Sequence, residues 1–121
     1  MLQHGFFTFT ALQTEGDMVK TTIKLNPAHP IFMGHFPGEP VLPGACMVQM
    51  VKEMVEVYLS KETRLVKASD LKFLSFIHPD GNESIQMEIK MNIEEELIRV
   101  VARLLDHEVV LFKFKGSFAQ R

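Results

Sequence analysis

A chain of 121 residues has room for one domain of ordinary size and little more, so a single domain over residues 1–121 is expected. With 46% hydrophobic and 23% charged residues, extensive low-complexity disorder is excluded and a packed core is predicted. Thirteen basic and fifteen acidic side chains leave a net charge of −2 with no basic stripe along the chain, which argues against nucleic-acid binding through phosphate neutralisation. The first seven residues have neither the basic region nor the long apolar run of a secretory signal. The longest apolar stretch, residues 45–59, is broken by Gln49, Lys52, Glu53 and Glu56 and is too short and polar to cross a bilayer. The single cysteine, Cys46, cannot form an internal disulfide and suits a reducing compartment. A soluble, cytoplasmic protein is the expectation.

Residues 6–13 are rich in aromatic side chains and threonine, as strands are. Glu15-Gly16-Asp17 reads as a turn, and Val19, Thr21, Ile23 and Leu25 then alternate with Lys20, Thr22 and Lys24. That period of two predicts a half-buried strand and, with the segment before it, a hairpin. Residues 26–44 hold five of the six prolines yet carry Ile31, Phe32, Met33, Phe36, Val41 and Leu42. Regular structure cannot continue through so many prolines, and a flexible linker has no use for so many large apolar groups. An ordered, partly buried loop is predicted, the kind of segment that carries binding groups.

Pro43-Gly44 signals a helix start. Apolar residues at 47, 50, 51, 54, 55 and 58 follow helical spacing, and the four polar residues share one narrow stripe. Such a helix is mostly enclosed. Everything beyond it reads as extended: residues 65–77, with a bulge near Ser69-Asp70, then the turn cluster His78-Pro79-Asp80-Gly81-Asn82. Ile85, Met87, Ile89, Met91 and Ile93 alternate with polar neighbours, and residues 97–105 and 109–118 are further strands. Short connections imply antiparallel neighbours. The fold class is α+β: one long, mostly buried helix and a curved antiparallel sheet of about six strands.

The segment that carries chemistry is Gly34-His35-Phe36-Pro37-Gly38-Glu39-Pro40-Val41-Leu42-Pro43-Gly44. A histidine in an apolar, proline-stiffened loop stays neutral and acts as a base near pH 7. The helix start at Gly44 offers unpaired backbone N–H groups and the positive end of the helix dipole. Those groups can hold a thioester oxygen as it becomes an enolate. A base and an oxyanion site are the minimum for removing a proton next to a thioester.

This motif resembles the signature of the bacterial 3-hydroxyacyl-[acyl carrier protein] dehydratases of the FabZ/FabA type, which have the hot-dog fold. The likeness extends through the following helix to Leu71-Lys72-Phe73 and the Pro79-Asp80-Gly81 turn, with an N-terminus shorter than in typical members. It implies that His35 removes the C2 proton, that the Val41 carbonyl fixes the tautomer of that histidine, and that the Gly44 N–H binds the thioester oxygen. It further implies an acid five residues after the glycine, to protonate the leaving hydroxyl. Here that position is Gln49, which can donate a hydrogen bond but not a proton. Glu53, about 6 Å further along the helix axis, is the substitute acid to consider. The resemblance also implies a homodimer, with His35 of one subunit facing Gln49 of the other. The substrate would be a thioester of acyl carrier protein or coenzyme A, without an external cofactor.

Other readings are weaker. His29 and His35 match no common zinc spacing, so no metal is expected. Cys46 fits a small core residue better than a nucleophile. Ser75, His78 and Asp80 crowd a turn and lack the glycine elbow of hydrolases. Beside dehydration, two functions stay open: an accessory acyl-binding subunit that pairs with an active dehydratase, favoured by Gln49, and a hot-dog thioesterase, disfavoured by the loop.

Overall fold

The alternating segments become strands because one face of each meets a helix and the other meets water. The computed structural model describes residues 2–33, 40–80 and 84–121. In chain order these hold β1 (Phe7–Phe9), β2 (Gln13–Glu15), β3 (Met18–Leu25), a short 3-10 turn (Pro30–Met33) and α1 (Gly44–Leu59). The strands β4 (Thr63–Phe73), β5 (Ile85–Glu94), β6 (Leu97–Asp106) and β7 (Val109–Gln120) follow. The seven strands form one antiparallel sheet ordered β1-β3-β5-β6-β7-β4, with β2 also on β3. One helix on one curved sheet is the hot-dog architecture that the motif implied.

Inward residues line up across the register. Ile89 pairs with Ala102 and Ala102 with Phe114; Met87 pairs with Leu104 and Leu104 with Phe112. All six are buried, and α1 adds Met47, Met50, Val51, Met54 and Val55. Each of these side chains larger than Ala102 contributes on the order of 1.5–3 kcal/mol by leaving water. The helix ends at Ser60, whose left-handed backbone (φ 55°) lets its N–H close onto the Glu56 carbonyl.

Two expectations need correction. The predicted first strand is split: Thr10 leaves the ladder but stays tied to β3, its carbonyl accepting the Thr21 hydroxyl at 2.8 Å and its hydroxyl the Thr22 N–H at 3.0 Å. The sheet therefore holds seven strands, in keeping with the curved antiparallel sheet of about six that was expected. The turn cluster after β4 does not join neighbours either, because β4 lies against β7 at the far edge while β5 sits between β3 and β6. Gly81 and Asn82 of that cluster fall outside the described residues.

The bulge expected near Ser69-Asp70 is present, with register shifts at Leu65/Lys67 and Ala68/Asp70. Gly116 makes it possible. A Cβ there would run into the Lys67 carbonyl and lie 2.7 Å from the Phe114 ring. As an edge strand, β4 leaves Leu65, Val66, Leu71 and Phe73 exposed.

The outer face of the sheet collects charge that looks scattered in sequence. Lys20, Arg103, Lys113 and Lys72 share one register row, Lys90 and Lys115 the next, Arg99 and Lys67 the third. Glu88, Asp70 and, through β2, Glu15 are the carboxylates in those rows. No helix among the described residues is long and apolar enough to cross a membrane.

Glu56 ties the end of α1 to the start of β4. It accepts the buried Thr63 N–H at 2.6 Å, the Thr63 hydroxyl at 3.2 Å and the Lys52 ammonium at 3.1 Å. Burial alone would raise its carboxyl pKa; the Thr63 N–H and Lys52 outweigh that and hold it below the usual range. A carboxyl depressed on folding stabilises fully above its unfolded value of about 4.3 and loses that contribution as pH falls through the folded value. Glu56→Gln is therefore expected to cost about 1–2 kcal/mol at pH 7 in urea unfolding. Its stability should fall less steeply than that of the parent below about pH 4.

Candidate functional site

The loop before α1 is held by two bonds to the segment after β4. The Leu42 N–H donates to the Ile77 carbonyl at 2.7 Å, and the His78 Nδ1–H donates to the Pro40 carbonyl at 3.1 Å. Between them Val41 and Leu42 are buried. Pro43 then sets an extended backbone (φ −65°, ψ 144°) and hands over to the helix at Gly44. Proline suits this place because its fixed φ allows both the loop and the approach to the helix.

No side chain caps the start of α1. The Pro43 carbonyl accepts the N–H groups of Cys46 and Met47. Among the described residues, none accepts from the N–H groups of Gly44 or Ala45. Beside them opens a cleft of about 510 Å³ lined by Val41, Leu42, Gly44, Met47, Phe73 and Phe76. The Phe73 ring lies over Gly44, so near that a Cβ on Gly44 would stand 2.8 Å from it. Glycine is what allows ring and helix end to meet. Phe73 and Phe76 are 53% and 73% exposed, an apolar mouth in contact with solvent. A polarised N–H pair at the end of an apolar cleft is suited to a carbonyl oxygen attached to an alkyl chain.

Of the residues singled out by sequence, Val41 and Gly44 share this cleft. His35 lies outside the described residues. Gln49 does not line the cleft; its Nε2 donates to Glu53 Oε2 at 2.9 Å. Glu53 is fully buried and accepts the backbone N–H groups of Leu2, at 2.7 Å, and Gln3, at 2.9 Å. A carboxylate occupied by three donors is an acceptor, which runs against its use as a substitute acid. Leu2 and Gln3 give no warning of this, because a backbone amide has no signature in sequence. The Phe73 contact was legible only as part of the Leu71-Lys72-Phe73 element.

The remaining candidates have other uses. Burial pushes the Cys46 thiol up, away from the thiolate that a nucleophile needs. His29 Nδ1 accepts the Ile31 N–H at 3.1 Å, and its ring stands edge-on to Phe6.

Comparison with known proteins follows the same line. The model of a family described as ApeI-like, ApeI dehydratase, matches residues 11–110. A 3-hydroxyacyl-[acyl-carrier-protein] dehydratase FabZ of Nitratidesulfovibrio vulgaris is 28% identical over 101 residues, 84% of this chain and 62% of that protein. The FabZ of Polaromonas naphthalenivorans is 32% identical over 101 residues, again 84% of this chain and 66% of its own length. The chain thus spans somewhat less than two thirds of these relatives. Among solved structures, the dehydratase heterocomplex ApeI:P from Xenorhabdus doucetiae superposes with a TM-score of 0.73 at 18% identity, covering 92% of this chain and 96% of that one. A thioesterase from Haemophilus influenzae, HI1161, gives 0.66 at 11% identity, covering 95% and 78%. At such identities the structures speak for the fold alone.

The contact between Gln49 and Glu53 makes a stability prediction. Gln49→Glu replaces a donor by a second carboxylate against Glu53, and like charges so close favour the protonated form of the introduced group. A carboxyl whose pKa is raised on folding destabilises above that pKa and is relieved below it. The variant should lose about 1–3 kcal/mol at pH 7 in urea unfolding. The deficit should shrink as pH is lowered, and a deficit independent of pH would contradict the contact.

Proposed function

This chain belongs to the ApeI-like dehydratase family, and we propose that it acts on 3-hydroxyacyl thioesters, converting them to trans-2-enoyl thioesters and water. The observation that carries this reading is the uncapped helix start at Gly44, the last residue of the GHFPGEPVLPG segment, opening on an apolar cleft. His35 takes the C2 proton. The Gly44 N–H receives the negative charge that develops on the thioester oxygen. The electron pair at C2 then forms the C2–C3 double bond as the C3–O bond breaks; the departing hydroxyl takes a proton from solvent to leave as water, and the protonated His35 returns its own proton to solvent. The Val41 carbonyl holds the histidine tautomer. No external cofactor takes part, since the thioester itself acidifies the C2 proton. The thioester is carried by acyl carrier protein or coenzyme A, in fatty-acid or related acyl-chain synthesis in the cytoplasm.

The chain acts as a homodimer, with His35 of one subunit near Gln49 of the other. The open β4 edge and the exposed Leu71, Phe73, Leu74 and Phe76 support an interface there. Proton delivery is the weak step, because Gln49 has no proton to give and Glu53 is occupied. General acid catalysis supplies roughly 100- to 10,000-fold in rate, so turnover is slow.

A second reading rests on the same deficit: an acyl-binding accessory subunit, with an active dehydratase as partner supplying the acid. The ApeI:P structure is a heterocomplex, which makes that assembly plausible for a relative. Thioester hydrolysis, suggested by thioesterase neighbours, lacks support from the loop.

The test uses a 3-hydroxybutyryl thioester and enoyl absorbance. Gln49→Glu places a proton donor of nearly the same size at position 49, held protonated by its neighbour Glu53. Turnover should rise at least tenfold, the low side of the general-acid range, and decline as pH rises and the introduced carboxyl ionises. His35→Ala in that background should abolish the gain. A Gln49→Glu protein that folds and dimerises but stays inert would move the accessory reading ahead. A monomer in sedimentation equilibrium at micromolar concentration would count against the shared site.

A further inference from the structure

Two consecutive peptide units before α1 are held by two consecutive residues after β4. The Leu42 N–H donates to the Ile77 carbonyl at 2.7 Å, and the Pro40 carbonyl accepts from His78 Nδ1 at 3.1 Å. A carbonyl only accepts, so Nδ1 carries the proton in that contact. The two units flank a single α-carbon, that of Val41, and with both held its backbone has little freedom to turn. The Val41 carbonyl shares a trans peptide unit with the Leu42 N–H, so it points the opposite way, away from Ile77. Val41 is buried, yet among the described residues no donor reaches its carbonyl. Buried carbonyls are nearly always paired, so this one is an acceptor awaiting a donor. The anchor itself is stiff. Ile77 is fully buried and Pro79 is buried, so His78 stands between two fixed neighbours. A residue before proline keeps an extended backbone, which narrows where its ring can lie. The His78 side chain is exposed and adds little to the core. What it holds is the point where residues 34–39 join the anchored part of the loop.

We propose that His78 is a positioning residue for the base: by holding the Pro40–Val41 peptide unit it sets the Val41 carbonyl against the His35 ring, and so keeps that ring in the one tautomer able to take the C2 proton. The proposal rests on the reading of His35 as the base. Without the His78 donor the Pro40 carbonyl turns to water, and the segment that carries His35 joins the loop at a varying angle. The base then divides its time between two tautomers, one of which has its proton on the nitrogen that should receive one. The Gly44 N–H and the apolar cleft are untouched, because Leu42 keeps its bond to Ile77. The loss therefore falls on the chemical step and not on substrate binding.

The experiment follows turnover of a 3-hydroxybutyryl thioester by the full chain and three variants at position 78. Asparagine carries its amide nitrogen as many bonds from Cβ as Nδ1 stands, and glutamine carries it where Nε2 stands. His78→Ala should lower kcat about five- to tenfold, as the loss of one hydrogen bond allows, with KM unchanged within about twofold. His78→Asn should return kcat to within about twofold of the parent, and His78→Gln should not. Equal kcat in the Asn and Gln variants, or a loss carried by KM, overturns the proposal. That pair is matched in polarity, so the comparison holds even where His78→Ala does not fold. A second readout is the His35 ring itself, in protein with isotope-labelled histidine, its signals assigned by their loss in His35→Ala. The parent should show one protonated and one bare ring nitrogen, and His78→Gln an average of the two. The same single tautomer in both proteins overturns the role of His78 and leaves the base standing. An averaged ring in the parent also overturns it, since nothing then fixes the tautomer. If His35→Ala turns over as fast as the parent, the reading of the base falls and the proposal with it.

Discussion

A helix enclosed by a single curled sheet has little water beside it, so each polar side chain on it must find a partner within the protein. That constraint organises the molecule. Lys52 and Glu56 meet each other and Thr63, fastening the end of α1 to the start of β4. Gln49 and Glu53 meet each other and the backbone of residues 2 and 3, fastening the N-terminal segment over the helix. The stripe that would face solvent on a surface helix serves here as two clamps. What α1 leaves unpaired, among the described residues, is its first turn, where Gly44 opens on the cleft.

The same enclosure shapes the chemistry. A carboxylate at position 49 would be free to handle protons only if its neighbours allowed it, and here the carboxylate sits one turn later, fully engaged with three donors. In that pair the amide at position 49 donates and the carboxylate at position 53 accepts. An amide does not titrate, so the donor side of that contact does not change over the physiological pH range.

Much of this was legible because local pattern and burial coincide. Ile85, Met87 and Ile89 pointed inward as their alternation required, since β5 has a neighbour on each side and the helix on one face. The helix start at Pro43-Gly44 was fixed by proline and by the periodic apolar residues that follow. The bulge near Ser69-Asp70 showed as a break in an otherwise extended run. Strand order was not legible, because nothing in β4 alone says that its partner is β7, beyond β5 and β6 in the chain. The burial of Glu53 was hidden for a different reason: its partners are main-chain amides some fifty residues away. At the site, Val41 and Gly44 come together at one cleft and Gln49 beside Glu53, while His35 rests on the motif.

The cations on the outer sheet face have a consequence for handling the molecule. A net charge of −2 and an isoelectric point near 6.2 describe a protein that should pass through a cation exchanger at neutral pH. Yet alternation along β3 to β7 turns eight of the thirteen basic side chains to one side, with only Glu15, Glu88 and Asp70 opposing them in the same rows. An adsorbing bead meets one face at a time, not the average over the molecule, and at low ionic strength the field of that face extends about 10 Å or more. The chain therefore behaves as a large dipole, with retention on a resin, orientation on a charged support and solubility near its isoelectric point set by how its charge is divided rather than by the sum.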